Sequence, residues 1–296
     1  MERGTRKKRQ RQGISQRKQK AFFFTTLLVL VFAIIYNVAG LRQTSILGEN
    51  YIMVTFLDVG QGESILLRSN THSVLIDGGE HRYRAVILDY LRLANVRHLD
   101  YVIATHPHSD HIGGLVAVLG SVSVGQVIMP DVTNNTATFE NFISVIENRA
   151  IPVRITQAGD IIQAGIINLQ VLAPYGTQSH INDMSVVVRL EHGQTSFLFT
   201  GDAESASEQK MVSSGFNLSS NVLNIGHHGS RTSTTESFLN AVSPDIAVIS
   251  LGRNNQFGHP HREVIERLLS QNITILRTDE LGTIQMITNG YIIGFV

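Results

Sequence analysis

The chain has 296 residues, enough for one large domain or two small ones with a sizeable core, and its lack of cysteine excludes both disulfides and thiolate metal sites. Its 24 basic and 24 acidic side chains balance formally, yet nine of the basic ones and only Glu2 of the acidic ones fall within residues 1–20. The chain beyond position 20 carries a formal charge of −8, which argues against a body that grips a long polyanion through Lys and Arg, although bound divalent metals would invert the field locally.

Residues 1–20 read as a basic tail. Residues 21–36 are uncharged and mostly apolar, and no charge returns until Arg42. A run of about 20 such residues spans a hydrocarbon core. The positive flank lies on its N-terminal side, which places the tail in the cytoplasm and everything after the span outside. The expectation is therefore one transmembrane helix over 21–41, a single pass in the cell membrane, and an extracytoplasmic domain. The alternative is a cleaved signal peptide and a secreted protein. Asn37-Val38-Ala39 is a poor small-x-small cleavage site, which favours a retained anchor. Residues 42–50 read as a linker, and 51–296 as the globular domain.

A strand over 51–57 runs into the glycine turn Asp58-Val59-Gly60-Gln61-Gly62-Glu63, followed by strands at 64–67 and 73–76 and then Asp77-Gly78-Gly79. The glycines lack the spacing of a dinucleotide loop and the lysine of a P-loop, so they are read as turns. Asp58 and Asp77 both end strands, where carboxylates that orient metal-bound histidines are often placed. Apolar residues at helical spacing predict a helix over 83–96, and a buried strand follows at 101–104.

That strand delivers Thr105-His106-Pro107-His108-Ser109-Asp110-His111-Ile112-Gly113-Gly114. Four potential ligands, His106, His108, Asp110 and His111, fall within six residues. Side chains two apart on a strand share a face, so His106 and His108 aim together. Imidazole suits zinc and similar metals, and the carboxylate adds a hard oxygen that suits manganese or a bridging position. A histidine-rich surface loop is the bland alternative.

Beyond it the expected elements are a helix over 112–120, a strand over 126–129, a helix over 138–149, and β-rich segments to about residue 175. Strands over 184–190 and 195–200 come next, then a helix near 203–213. After these come strand 222–225, helix 234–242, strand 245–250, helix 261–271, strand 273–276 and a terminal hairpin. This is a mixed α and β pattern. An apolar strand ends in Gly201-Asp202, and the two oxygens of that carboxylate can bridge two metals. Another ends in Gly226-His227-His228-Gly229-Ser230. Adjacent side chains on an extended chain diverge, so one histidine would ligate while the other meets a substrate oxygen, with Ser230 and nearby amides assisting an anion. His259 and His261 flank Pro260 at the start of the last helix, with His261 expected in its first turn, as a substrate-facing rim or a helix-capping loop.

The HxHxDH pattern after an apolar strand resembles the first metal motif of the metallo-β-lactamase superfamily. Taken with FLDVGQGES, LIDGG, NDMSVVVRL, FLFTGDAE, NIGHHGS and FGHPHREVIERL, it resembles the C-terminal metallohydrolase domain of ComEC-type DNA-internalisation proteins and free-standing relatives of that domain, over about residues 51–290. The ComEC channel domain finds no counterpart in a chain with one apolar span. The resemblance implies an α/β (α+β) four-layer αββα sandwich, preceded here by the transmembrane helix, with the metals at one edge of the two sheets. It implies two divalent ions, Zn or Mn: His106 and His108 on one, Asp110, His111 and His228 on the other, and Asp202 bridging. Analogy inclines toward His228 as the ligand and His227 as the substrate contact, and makes Asp110, His227 and His228 the expected catalytic residues. This branch reads Asn-Asp-x-Ser where the superfamily supplies a further histidine, so His180, Asn182 or Asp183 would have to substitute, and an oxygen-rich site tilts toward manganese. The implied activity is a metal-dependent phosphodiesterase or nuclease acting on single-stranded DNA or a cell-wall polymer, with no obligate protein partner inferred. Rival readings are a phosphocholine esterase, a lactonase, a β-lactamase, or a non-catalytic binding protein with an incomplete site.

Overall fold

In the computed structural model, which describes residues 47–296, short apolar runs separated by glycine turns pair into two sheets. In chain order the strands are β1 (Ile52–Phe56), β2 (Ile65–Arg68), β3 (Ser73–Ile76), β4 (His98–Ile103), β5 (Ser123–Met129), β6 (Val153–Ile155), β7 (Ile161–Ala164), β8 (Ile167–Ala173), β9 (Val187–His192), β10 (Thr195–Phe199), β11 (Val222–Asn224), β12 (Ile246–Ile249), β13 (Thr274–Arg277), β14 (Ile284–Thr288) and β15 (Ile293–Phe295). The first sheet has the order β15-β14-β1-β2-β3-β4-β5-β6, and the second β13-β12-β11-β10-β9-β8-β7.

Each sheet changes from antiparallel to parallel along its width. In the first, β2 pairs antiparallel with β3, whereas β3, β4, β5 and β6 run parallel. In the second, β9 pairs antiparallel with β10, whereas β10 to β13 run parallel. Parallel neighbours require crossovers, and helices supply them. The first sheet is served by α1 (Arg84–Leu93), α2 (Ser109–Ile112), α3 (Leu115–Ser121) and α4 (Ala137–Asn148). The second is served by α5 (Ser205–Ser213), α6 (Glu236–Val242) and α7 (Arg262–Ser270). A short α8 (Thr278–Leu281), which the apolar pattern did not predict, precedes β14.

Three apolar clusters define the layers. Phe56, Ile76, Ile103, Phe197 and Phe199 meet between the sheets. Leu99, Val102, Ile87, Leu91, Phe142 and Ile146 seal α1 and α4 onto the first sheet. Leu223, Ala247, Phe238, Val264 and Leu268 do the same for α6 and α7 on the second. With both faces covered, β3 is buried at all four positions, Ser73 included, and its Val74-Leu75-Ile76 is a continuous apolar run.

The expected elements are present with small shifts of boundary. The strand before the metal motif begins at His98 and not at 101. Asn182–Met184 form a 3-10 turn, so the strand expected from 184 starts at Val187. His261 is the capping residue before α7, extended at φ −67° and ψ 145°, and does not lie in its first turn. Among the described residues no helix is long and apolar enough to cross a membrane. The tail and the span expected over 1–20 and 21–41 lie outside them.

Where the glycine turns meet, backbone touches backbone. A Cβ on Gly114 would stand 2.0 Å from the Gly78 carbonyl oxygen, and one on Gly62 would stand 2.6 Å from that of Asp110. Gly114→Ala is therefore expected to destabilise the protein by about 3 kcal/mol, read from the urea midpoint. Gly120→Ala, whose Cβ meets only Val145 at 3.9 Å, should leave that midpoint unchanged or raise it.

Candidate metal centre

Four strand ends supply the site. β3 ends in Asp77, β4 leads to His106–His111, β10 to Asp202, and β11 to His228. Asp202, 2 % exposed, lies at the middle. Asp110, His111, Asp202 and His228 bring four ligand atoms within 4.8 Å of one another, and His106, His108 and Asp202 form a second such group that shares the same carboxylate.

The histidines are held in the tautomers a metal ligand needs. His111 donates through Nδ1 to Asp77 Oδ2 at 2.6 Å, while Thr105 donates to the same carboxylate through its amide at 2.8 Å and its hydroxyl at 2.6 Å. His228 donates through Nδ1 to the Ser250 carbonyl at 2.8 Å. In both rings it is therefore Nε2 that faces inward, the atom a metal would take in place of a proton. His106 places Nδ1 against Thr105 Oγ1 at 3.1 Å and Nε2 at 3.1 Å from His108 Nδ1.

His111 Nε2 is 3.1 Å from Asp202 Oδ1, and His228 Nε2 is 3.3 Å from Asp110 Oδ2 and 3.7 Å from Asp202 Oδ1. Despite these approaches, His111 Nε2, His228 Nε2 and Asp202 Oδ1 are buried without an aligned hydrogen-bond partner. Buried polar atoms are rarely left so. Three that face one point have the arrangement of ligands around a cation, and the donor set of imidazole nitrogen and carboxylate oxygen fits zinc or manganese.

The charges agree. Burial opposes the ionised form of Asp202, yet the neighbouring His111 and His228 outweigh it and hold the carboxyl well below its usual range. Asp110 is held low in the same way, with His228 as its main support against burial. Burial also opposes the charged form of His228, but Asp202 and then Asp110 lift it to about 9. His111 is raised well above its ordinary value against burial by Asp202 and Asp77. His106, by contrast, is pushed well down by burial and by the charge on His111. In the metal-free centre protons supply the positive charge that a cation would replace.

The structure separates the remaining expected residues. His227 is not among the converging ligand atoms: Nδ1 pairs with Glu204 Oε1 at 3.0 Å, and Nε2 stands 3.7 Å from Asp202 Oδ2 at the partly exposed mouth. The two histidines diverge through a left-handed turn, with φ 50° at His227 and 55° at His228, and not through the extended chain expected there. His259 stacks over His228 at 6.4 Å between ring centroids. His261 is turned into the loop, where its Nδ1 accepts from the Arg231 amide at 3.0 Å. Ser230 Oγ is taken up by Thr232 at 2.9 Å.

Three expected positions need correction. Asp58 does not reach a histidine, because its carboxylate closes the glycine turn by accepting from the Gly60 amide at 3.2 Å. His180 is exposed and outside both ligand groups. Asp183 accepts from the Glu204 and Ser207 amides, both at 3.1 Å, and so caps α5. Asn182, by contrast, donates to Glu204 at 3.1 Å while its Oδ1 is buried without a hydrogen-bond partner. The residue of that segment that does face the centre is Ser185, whose Oγ accepts from the Asp202 amide at 3.1 Å and lies 3.4 Å from His106 Nδ1. Sequence reasoning also misses Glu63. It is buried beside Asp77 and His111, and burial pushes its carboxyl up to about 7 against the pull of His111. A lone acid inside the otherwise neutral GQGES turn is its only sequence signal.

This fold and this donor set are those of a metallo-β-lactamase-fold hydrolase with a candidate metal-binding cluster, and the comparisons agree. The model of the metallo-beta-lactamase superfamily matches residues 57–253, and the chain belongs to that superfamily. Within it the relatives are ComEC-type competence proteins. "ComE operon protein 3" of Bacillus subtilis (strain 168) is 32% identical over 78% of this chain and 32% of its own length. "Competence protein ComA" of Neisseria gonorrhoeae is 35% identical over 80% of this chain and 32% of its own length. The chain thus spans about a third of the length of these relatives. Among solved structures, the metallo-beta-lactamase fold protein YhfI of Bacillus subtilis aligns with a TM-score of 0.52 at 14% identity, over 76% of this chain and 95% of its own. CmlA, a diiron beta-hydroxylase from Streptomyces venezuelae, aligns with a TM-score of 0.52 at 14% identity, over 76% of this chain and 52% of its own. These two show the fold alone.

Two measurements probe the centre. His228 is raised above its unfolded value of 6.5, so its contribution to the metal-free fold is fully present below about pH 6.5 and is lost as pH rises through about 9. A cation must displace that proton, so the rise in melting temperature on adding Zn²⁺ or Mn²⁺ should grow from pH 6 to pH 9. Asp77 stands at φ 55°, which asparagine tolerates. Asp77→Asn should therefore fold, yet bind metal about 10–100-fold more weakly by competition with a chelating dye.

Proposed function

We propose that the protein is a metal-dependent phosphodiesterase. The observation that supports this most directly is one buried carboxylate, Asp202, shared between two imidazole-containing groups of potential ligands. Its ComEC-type relatives incline the reading toward single-stranded DNA; a cell-wall phosphodiester is the other substrate of the same chemical class.

Two divalent ions, zinc or manganese, would be held by His106, His108 and Asp202 on one side and by Asp110, His111, His228 and Asp202 on the other; when bound they supply Lewis acidity and an acidified water. The remaining work falls to the chain's own groups. Asp77 and Thr105 fix His111, and the Ser250 carbonyl fixes His228, so neither ring has to reorient as charge develops. His227 Nδ1 bonds Thr232 Oγ1 at 3.2 Å and lies 3.0 Å from Glu204 Oε1, and Glu204 is itself held by Asn182 and by Thr232 at 3.0 Å. Nε2 faces the mouth, where, when it carries a proton, it can bond a phosphoryl oxygen or pass that proton to the departing alkoxide. Of the two rim histidines we read His259 as the substrate contact, since His261 is committed to the Arg231 amide. Residues 21–41 we read, from the sequence alone, as a membrane anchor that leaves this domain outside the cytoplasm, with secretion as the alternative.

The full-length protein loaded with Mn²⁺ or Zn²⁺ should hydrolyse bis(p-nitrophenyl) phosphate and single-stranded DNA, with two ions per chain by elemental analysis. Asp110→Ala and Asp202→Asn should each lower kcat about a thousandfold or more. An undiminished rate after exhaustive chelation would sink the proposal.

A further inference from the structure

An open groove of about 1070 Å³ leads away from Asp110, walled by the β1–β2 turn, the start of α1, and the 252–257 loop. Phe257 stands in this wall with 53 % of its surface exposed. Isolated exposed aromatics are ordinary, but this one is built in. Asn255 accepts from the amides of Phe257 at 3.2 Å and His259 at 3.0 Å, and donates to the carbonyls of Gly252 at 3.0 Å and His259 at 2.7 Å. Gln61 ties the same loop to the β1–β2 turn by accepting from the Gly252 amide at 3.1 Å. The loop that carries the exposed ring is thereby fixed by a side chain that uses its whole hydrogen-bonding capacity on the purpose.

The ring also continues a stack. Phe257 lies over His259 at 5.7 Å with 26° between the planes, and His259 lies over His228 at 6.4 Å and 28°. A flat aromatic path therefore runs from solvent to a residue of the metal centre. Much of the charge along the groove is engaged: Glu80 pairs with Arg82 at 2.8 Å and Asp279 with Arg277 at 2.7 Å, Arg253 donates to the Asp279 carbonyl, and Asp58 accepts from the Gly60 amide. The wall is left with an aromatic face and the exposed amide side chains of Asn254 and Gln256 to offer. A flat, neutral ring with hydrogen-bonding edges fits this better than a cation or a chain of phosphates.

We propose that Phe257 is a specificity-determining platform on which a nucleobase stacks beside the phosphate bound at the metal centre, with Asn254 and Gln256 facing its edge. This deepens the phosphodiesterase reading and rests on it for the position of the phosphate. Base–aromatic stacking is sequence-tolerant and strong enough to set substrate choice.

Binding separates the two ideas, because it does not need turnover. With Mn²⁺ present, the full-length protein should bind thymidine 5′-monophosphate at least tenfold more tightly than deoxyribose 5-phosphate by calorimetry. Phe257→Ala should erase most of that ratio, about tenfold, and Phe257→Trp should keep it. An unchanged ratio in Phe257→Ala, or tighter binding of phosphocholine than of the nucleotide, overturns the platform. A nucleotide preference that depends on Phe257 in a protein that hydrolyses no phosphodiester leaves the platform standing and removes the proposed reaction.

Discussion

A carboxylate at 2 % exposure is tolerable only if opposite charge reaches it, and the whole edge of the sandwich is arranged to bring that charge to Asp202. β10 ends two residues before Gly201, which is held at φ 51° with its missing Cβ only 3.0 Å from the Thr105 side chain. The loop after β4 must therefore pass directly above, which is what lets His106 and His111 face the same carboxylate. β11, the parallel neighbour of β10, ends one strand further along and sends His228 to the same point. Because each strand end is fixed by its sheet, the centre is a property of the two-sheet packing and not of any one loop.

The local backbone shows the cost of this convergence. Asp77, His227 and His228 all adopt φ between 50° and 55°, a region that non-glycine residues seldom occupy. Each is held there by bonds that a relaxed backbone would break: Asp77 by Thr105 and His111, His227 through its amide to the Gly201 carbonyl at 3.1 Å, and His228 by Ser250. Strain of this kind persists where the surroundings over-determine it, and here they also fix ring orientation. A site whose ligands are preset in this way need not be assembled by the cation.

The elements and the central ligands are legible in the sequence because each follows an uninterrupted apolar run, and such runs survive as strands in a sandwich covered on both faces. The outer parts are harder to read. Asp58 and Asp77 have the same sequence appearance, a strand followed by Asp and glycine, and only the sheet order shows that β3 abuts β4 while Asp58 stays in its own turn. Asn182 and Asp183 have the chemistry of ligands, yet a 3-10 turn directs them to Glu204 and α5 and presents the less conspicuous Ser185 to the centre. Glu63 and Ser185 are single residues without spacing partners, so no periodicity marks them, and their roles arise only from contacts across the sheets. His227 and His228 do diverge as an extended chain would require, but a left-handed turn is what parts them.

The acidic balance of the chain after its tail acquires a location in the groove. Arg82 and Arg253 are the basic residues along its wall, and each is already engaged, Arg82 by Glu80 and Arg253 by the Asp279 carbonyl. Affinity for a long nucleic acid comes mainly from lysine and arginine contacts to successive phosphates, and this wall has little free charge to give. Under the proposed reaction, recognition would concentrate on one phosphate at the metal centre and on whatever flat group lies next to it. In that proposal the cations held by Asp202 and its ligand partners would recognise charge and Phe257 would discriminate, two functions carried by different strand-end loops of the same sheet edge.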